Sequence, residues 1–319
     1  MKRRPAVRPR HCRSGAALLL LAAAGCTSTT TGALAPPQPV ATPTVAAGTA
    51  ELHLPVEAYM LSPTQSVQFN WVQQAATGAC MKRYGQDYPV PARPDRTPAG
   101  AFETMKRRYG ISDAEETHRW GYHLPETADP RKTTPIGKLP LDAQTVLTGV
   151  DPRTRNRVSS FAGKPLPEHG CLTELDRILP AAAAGPLGPG NGEQGIVATL
   201  KAKSFEDSQA DPRVTAAIAA WSSCMKGRGH DVATPLRASE GLAMAADQPP
   251  SEAEIVRGDA DIACKHETNL IGIWFAVESD LQNSAINRDS ETMRKVKATL
   301  DDEAARLKQL FDRDWGVDS

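Results

Sequence analysis

Four cysteines stand in two matched frames, and they are the residues of this chain most plainly able to form a covalent bond. Cys80-Met81-Lys82 with Gly85, and Cys224-Met225-Lys226 with Gly229, both read C-M-K-x-x-G. Each copy is preceded by a tryptophan (Trp71, Trp221) and carries an aspartate seven residues past its cysteine (Asp87, Asp231). Cys171 and Cys264 each open the frame C-x-x-E-x-x-x-I, through Glu174 and Ile178 and through Glu267 and Ile271. Four thiols allow three pairings, and the repeat selects Cys80–Cys171 with Cys224–Cys264. There is no C-x-x-C, and the paired cysteines are far apart in sequence. The frames therefore predict braces rather than a redox or zinc site. The loops so closed are long, and chain entropy assigns roughly 4–5 kcal/mol to each as an upper figure.

Other chemistry-bearing residues are fewer. His118-Arg119-Trp120-Gly121-Tyr122-His123 gathers two histidines and two aromatics in six residues. With His169 and Glu115 or Glu116 it could hold a metal, but the spacing matches no standard ligand pattern. The expectation is a packing Trp–Tyr pair with surface histidines. His118, Trp120, Tyr122 and His123 then serve as the candidate contacts for a ligand or partner. Ser223-x-x-Lys226 has the form of the penicillin-binding-protein nucleophile motif, yet its counterpart in the first copy is Ala79 and no S-D-N or K-T-G follows. Lys82 and Lys226 suit the negative end of a helix dipole. No P-loop, G-x-S-x-G, H-E-x-x-H or G-x-G-x-x-G occurs. No catalytic residue, metal or cofactor is expected.

The elements that would position these residues begin with an export signal. Residues 1–25 hold six basic residues and no acid, with an apolar run from Ala16 to Ala24 that is too short to span a bilayer. Leu21-Ala22-Ala23-Ala24-Gly25-Cys26 reads as a lipobox, in which Cys26 is diacylated. The alternative is plain cleavage and secretion. With Cys26 acylated, four cysteines remain to pair. The whole chain is formally neutral, so loss of the six basic residues leaves a mature charge near −6. That speaks against a nucleic-acid partner. Residues 26–58 read as a disordered Thr/Ala/Pro-rich tether.

The fold expected is mainly α. It is a duplicated, disulfide-stapled helical unit whose C-terminal half is an antiparallel bundle and whose N-terminal half carries a long irregular insertion. The halves are 59–180 and 193–319, joined by the linker 181–192 (AAAAGPLGPGNG from Ala181). Ser62 and Pro63 start a helix over 63–84 with Val67, Trp71, Val72, Ala75, Ala76 and Cys80 on one stripe. Short helices are expected near 99–109, 113–119 and 168–179, with short strands at 145–150 and 157–161. Beyond the linker come a helix over 193–209, one from Pro212, one long helix from the capping box Ser251-x-x-Glu254 through Leu281, and one over 290–313.

The stretches W-x-x-C-M-K-x-x-G, Ala260-Asp261-Ile262-Ala263-Cys264-Lys265, Arg107-Arg108-Tyr109-Gly110-Ile111 and Gly121-Tyr122-His123-Leu124-Pro125 resemble a group of exported actinobacterial, Streptomyces-like lipoproteins and secreted proteins. The resemblance covers roughly residues 60–315. It implies export and disulfides and carries over no activity. The function expected is a non-catalytic envelope lipoprotein, membrane-bound through its lipid, whose body binds an envelope protein, a peptide or a wall component. The alternative is a cell-wall-directed hydrolase with a site in residues 86–165, which would gather His118, His123 and His169 in one cleft.

Overall fold

The computed structural model describes residues 41–45, 48–97, 103–124, 136–179, 193–245 and 248–317. Pro37–Ser319 is one compact unit. Cys26, residues 1–25 expected to be an export signal, and the expected linker 181–192 lie outside the described residues. Among the described residues there are nine α-helices: α1 Pro63–Arg83, α2 Ala114–Trp120, α3 Leu141–Thr148, α4 Glu174–Ile178, α5 Glu193–Gln209, α6 Pro212–Gly227, α7 Glu252–Thr268, α8 Leu270–Arg288 and α9 Ser290–Asp312. The strands described are β1 Ser160–Phe161 and β2 Lys164–Pro165, an antiparallel pair with Phe161 opposite Lys164. The fold is mainly helical, as its sequence periodicity requires.

The repeated C-M-K-x-x-G is a helix terminator in both copies. In α1, the Gln86 N–H donates to the Met81 carbonyl and Gly85 N–H to Lys82. In α6, His230 N–H donates to Met225 and Gly229 N–H to Lys226. These are the two bonds of a Schellman ending, and the glycine sits at its left-handed position with φ +70° in the first copy and +87° in the second. Met81 and Met225 are fully buried below the turn. The cysteine one residue before each methionine then meets the following helix. Cys80 bonds Cys171 across a separation of 91 residues, and Cys224 bonds Cys264 across 40. The C-x-x-E frames add an ion pair beside each bond, Arg83–Glu174 at 2.9 Å and Arg228–Glu267. Arg177 also holds Glu174. Burial alone would raise the Glu174 carboxyl, but hydrogen bonds from Arg177 and Arg83 outweigh it and hold it below the usual range.

Helix starts follow local chemistry. Ser62 and Gln65 form a reciprocal capping box on α1, Ser251 and Glu254 another on α7, and Asp211 caps α6 ahead of Pro212. Packing joins the two halves of the chain. α1 lies along α9, where Trp71 meets Phe311 edge-on at 5.4 Å between ring centroids, over Leu175, Leu179 and Leu307. The largest core is built on α5 to α9 around Trp221, Trp274 and Leu270, and it includes Leu54, Val56, Met105 and Tyr109 from the first half. A third, around the buried Cys80–Cys171 bond, holds Met81, Val146 and Leu147.

Four local expectations change. Residues 145–150 are not a strand: α3 ends at Thr148, and Gly149 turns the chain in the left-handed region. The strand expected at 157–161 is reduced to Ser160–Phe161 and a single bridge from Val150 to Arg157. Within the stretch expected to be helical near 99–109, residues 104–109 form turns. The long helix from Ser251 breaks at Asn269, whose φ of +49° ends α7 and starts α8. Asparagine tolerates that conformation better than other side-chain-bearing residues.

The tether assigned to 26–58 also ends earlier than expected. Leu54 and Val56 are buried, and Leu52 and Val45 pack against the same core. Asn269 clamps this strap from both sides: its Nδ2 donates to the Pro43 carbonyl at 2.9 Å and its Oδ1 accepts from Val45 N–H at 3.2 Å. Pro43 lies so close to Gly272 that a β-carbon there would collide with its carbonyl oxygen. Further along, the Val56 N–H donates to Gln282 Oε1 at 2.9 Å inside the core. Alternating leucines and valine in Leu52-His53-Leu54-Pro55-Val56 account for the docking, since each buried aliphatic contributes roughly 1.5–3 kcal/mol.

Candidate functional site

The arm formed by residues 103–124 carries the histidine–aromatic cluster, and it is fixed to the bundle through two buried polar networks. The first centres on Glu278 of α8, which is wholly buried. Arg108 Nε donates to both its oxygens, at 2.9 and 3.1 Å, and Arg108 Nη2 also bonds it. Tyr109 OH donates to Oε2 at 2.7 Å, and Ser204 Oγ and Gln282 Nε2 donate to Oε1, each at 3.1 Å. Burial, then the Glu278 charge, pushes the Tyr109 hydroxyl far above its ordinary pKa, so it remains a donor. The Tyr109 ring stacks on Trp274 at 4.7 Å, and Trp274 Nε1 donates to Ser208 at 2.7 Å.

The second network centres on Asp261 of α7, also wholly buried. It accepts from Trp221 Nε1 at 2.9 Å and Tyr122 OH at 3.3 Å, and it pairs with Lys265 at 3.0 Å. Lys265 Nζ also donates to the Ile111 carbonyl at 2.7 Å. Burial favours the neutral form of each partner, raising Asp261 and lowering Lys265, while their mutual attraction opposes it. Arg107 closes the arm on itself by donating to the carbonyls of Gly121 and Tyr122 at 3.2 and 3.0 Å. α2 then crosses α7 at Gly258, where any β-carbon would strike the Thr117 methyl. Arg107–Ile111, Gly121 and Tyr122, Ala260–Lys265 and the tryptophan of the second copy thus meet in one joint.

The candidate residues fall as follows. His118 Nε2 lies 2.8 Å from Asp259 on an exposed face of α7. His123 Nε2 lies 3.2 Å from Glu254 Oε1, close enough to pair but without hydrogen-bond alignment, and the nearby Arg257 Nε is likewise buried without an aligned partner. Trp120 is half-buried at the end of α2. Tyr122 turns its hydroxyl inward to Asp261, and burial followed by that charge pushes its pKa well up. Glu116 pairs with Lys106 at 2.7 Å, and Glu115 is exposed. His169 is elsewhere: it accepts from Arg157 Nη1 at 3.2 Å, two residues before Cys171 in the chain. The structure therefore sets His118 and His123 against α7 and does not bring His169 to them. Ser223 and Lys226 are exposed on α6.

Among the described residues the one cluster of metal-type ligands is Cys224, Cys264 and Glu267. Its sulfurs are bonded to one another, so they are not thiolate ligands, and Glu267 is held by Arg228. Sequence reasoning missed Glu278, Gln282 and Asp261 as organising groups. Their signal is a charged or amide residue within an apolar helical stripe, as Glu278 is between Val277 and Leu281. No known protein family, curated protein or solved structure matches the chain. Among the described residues no helix is long and apolar enough to cross a membrane.

Proposed function

We propose that this chain is an exported, lipid-anchored and non-catalytic binding protein of the cell envelope, whose braced helical body holds an envelope protein, peptide or wall component. The observation that carries this reading is the fate of the chemistry-bearing motif residues. Tyr122 is committed to Asp261, Arg108 to Glu278, Glu174 to two arginines and the four cysteines to two disulfides. These groups stiffen a surface instead of standing ready to react. Disulfides suit an oxidising compartment outside the cytoplasm, and the lipobox at Cys26 would hold the body at the membrane, where diacylation gives stable anchoring.

Two measurements test it. Cys26→Ala should move the protein from the membrane fraction to the medium, and a variant that stays membrane-bound removes the lipid anchor from the proposal. The tethered protein, used as bait on solubilised envelope membranes, should recover a defined partner at constant stoichiometry. Recovery that is unchanged after the body is unfolded by reduction would count against specific binding.

A further inference from the structure

Two open clefts share Met60 as a wall, one against α5 and one beside the turn at Pro55–Tyr59, and the first carries the Lys201 cation at its edge. The first is an opening of about 330 Å³ walled by Met60, Val197, Ala198, Ala202 and Phe205, with Lys201 and Arg108 at its edge. Met60 also walls the second, about 310 Å³, where Leu52, Leu61, Pro63 and Met105 continue the apolar lining. Volumes of this order are those of small-molecule sites, and methionine walls adapt to flexible chains.

The Lys201 ammonium stays open to solvent at that edge. The residue as a whole is half-buried, and no carboxylate or other acceptor among the described residues reaches its ammonium. Burial, then the Arg108 charge, lowers its pKa. The two acids that draw it the other way are already engaged. Glu278 is held by Arg108, Tyr109, Ser204 and Gln282. Glu57 accepts from the Leu54 N–H at 3.1 Å and faces His53 at 3.2 Å. Arg108 is also placed: Nη2 donates to the Lys201 carbonyl at 2.8 Å, and its guanidinium lies over the Phe205 ring at 4.8 Å. The turn of α5 that carries the ammonium is therefore fixed from behind. By contrast, the apolar groove between α5 and α8 has its bordering charges paired within the protein, Lys203 with Asp207 and Arg288 with Asp289.

We infer that the two clefts together bind a single-chain amphiphile with an anionic head, the head on Lys201 and the alkyl chain laid past Met60 toward Leu52 and Met105. A carboxylate there would give Lys201 the charge-assisted bond it lacks, and the chain would cover apolar surface in both clefts. A free fatty acid and a lysophospholipid share this chemistry. The inference adds a small-molecule ligand to the binding reading above and rests on that reading only for its biological setting. Failure to recover a protein partner would leave it standing, and failure of the ligand test would leave the partner reading standing.

The test is isothermal titration of the full chain with dodecanoate below its micellar concentration, with dodecanol and lauroyl-lysophosphatidylglycerol as the other arms. Lys201→Met removes the charge and keeps the stem, and Ala202→Trp fills the first cleft from an exposed position. The expected result is one saturable site, with dodecanoate at least tenfold tighter than dodecanol. Lys201→Met should erase that difference while leaving dodecanol binding unchanged, and Ala202→Trp should abolish all binding with the thermal midpoint kept. Tighter binding of the lysolipid than of dodecanoate would assign a lipid headgroup, and the reverse a free acid. Unsaturable partitioning, or a carboxylate preference that survives Lys201→Met, overturns the proposal.

Discussion

Replacing Glu278 by glutamine should be among the most damaging single changes in the chain. The substitution keeps the shape and removes one charge. The Glu278 side chain is 0% exposed and that of Arg108 is 10% exposed, so the guanidinium would be left buried without its anion. Removing one partner of such a pair typically costs about 3–5 kcal/mol, a large part of the 5–15 kcal/mol usual for a domain. Arg108→Met should cost less, about 1.5–3 kcal/mol, because Tyr109, Ser204 and Gln282 still donate to the carboxylate. In the double variant neither charge remains, so the losses should not add, and a coupling of about 2 kcal/mol or more is expected. Urea unfolding with both disulfides intact, followed by far-ultraviolet circular dichroism, measures all four corners. Near-ultraviolet dichroism supplies a local check, since Arg108 lies over Phe205 and Phe205 stacks on Trp274 at 5.7 Å. A loss below about 1 kcal/mol for Glu278→Gln, or additivity of the two changes, would refute the argument that this pair pins the arm to the bundle.

Glu303 gives a pH-dependent case. It is 5% exposed on α9 with Oε1 unpartnered, and burial raises its pKa against a weaker pull from Arg306. The folded state keeps the proton to higher pH than the unfolded chain, so this stability is present below about pH 4.3 and is lost as pH rises through the raised value. Glu303→Gln should therefore match the parent near pH 4 and be the more stable of the two at pH 7; an equal gain at both pH values would contradict the assignment. Asn269→Gly keeps the left-handed turn and loses the clamp, so Val45 N–H should exchange faster with little change in melting. Asn269→Ala should show the same exchange and cost a further 1–2 kcal/mol or so for the backbone, and unchanged exchange in both would mean the strap is held by other contacts. Under graded reduction, alkylation mapping should find Cys224–Cys264 open first. Cys224 is partly exposed, whereas Cys80 and Cys171 are both fully buried, and the opposite order would show that access does not govern the reaction.

What the sequence displayed openly is what depends on neighbours along the chain. The stripes of α1, α6 and α9, the caps at Ser62, Asp211 and Ser251, and the two C-M-K-x-x-G endings each have their partners within a turn or two. The cysteine pairing could be read because the frame is repeated. The joint could not. Arg108 finds Glu278 at a separation of 170 residues and Lys265 finds the Ile111 carbonyl at 154, and no local period marks such partners. Arg107-Arg108 looks like a solvated basic run, yet Arg108 enters the core because one carboxylate waits there. The strap failed for a different reason. Its alternation of leucines and valine is only five residues long and follows a stretch rich in threonine, alanine and proline, whose composition dominates the reading. The second half of α3 reads as part of a strand over 145–150 because Thr145 and Val146 favour strands, which burial on the Cys80 side overrides.

The strap also governs when the molecule can fold. Pro43 and Val56 are among the first described residues, and their partners Asn269 and Gln282 stand 226 residues later. Such high contact order slows folding, because loop closure must precede the contacts that reward it. A chain emerging N-terminus first cannot complete its main core until α8 has emerged. The late partners keep that core open for most of the interval. They also leave apolar segments such as Leu52–Val56 uncovered in the interval, when chaperone capture or aggregation competes with folding.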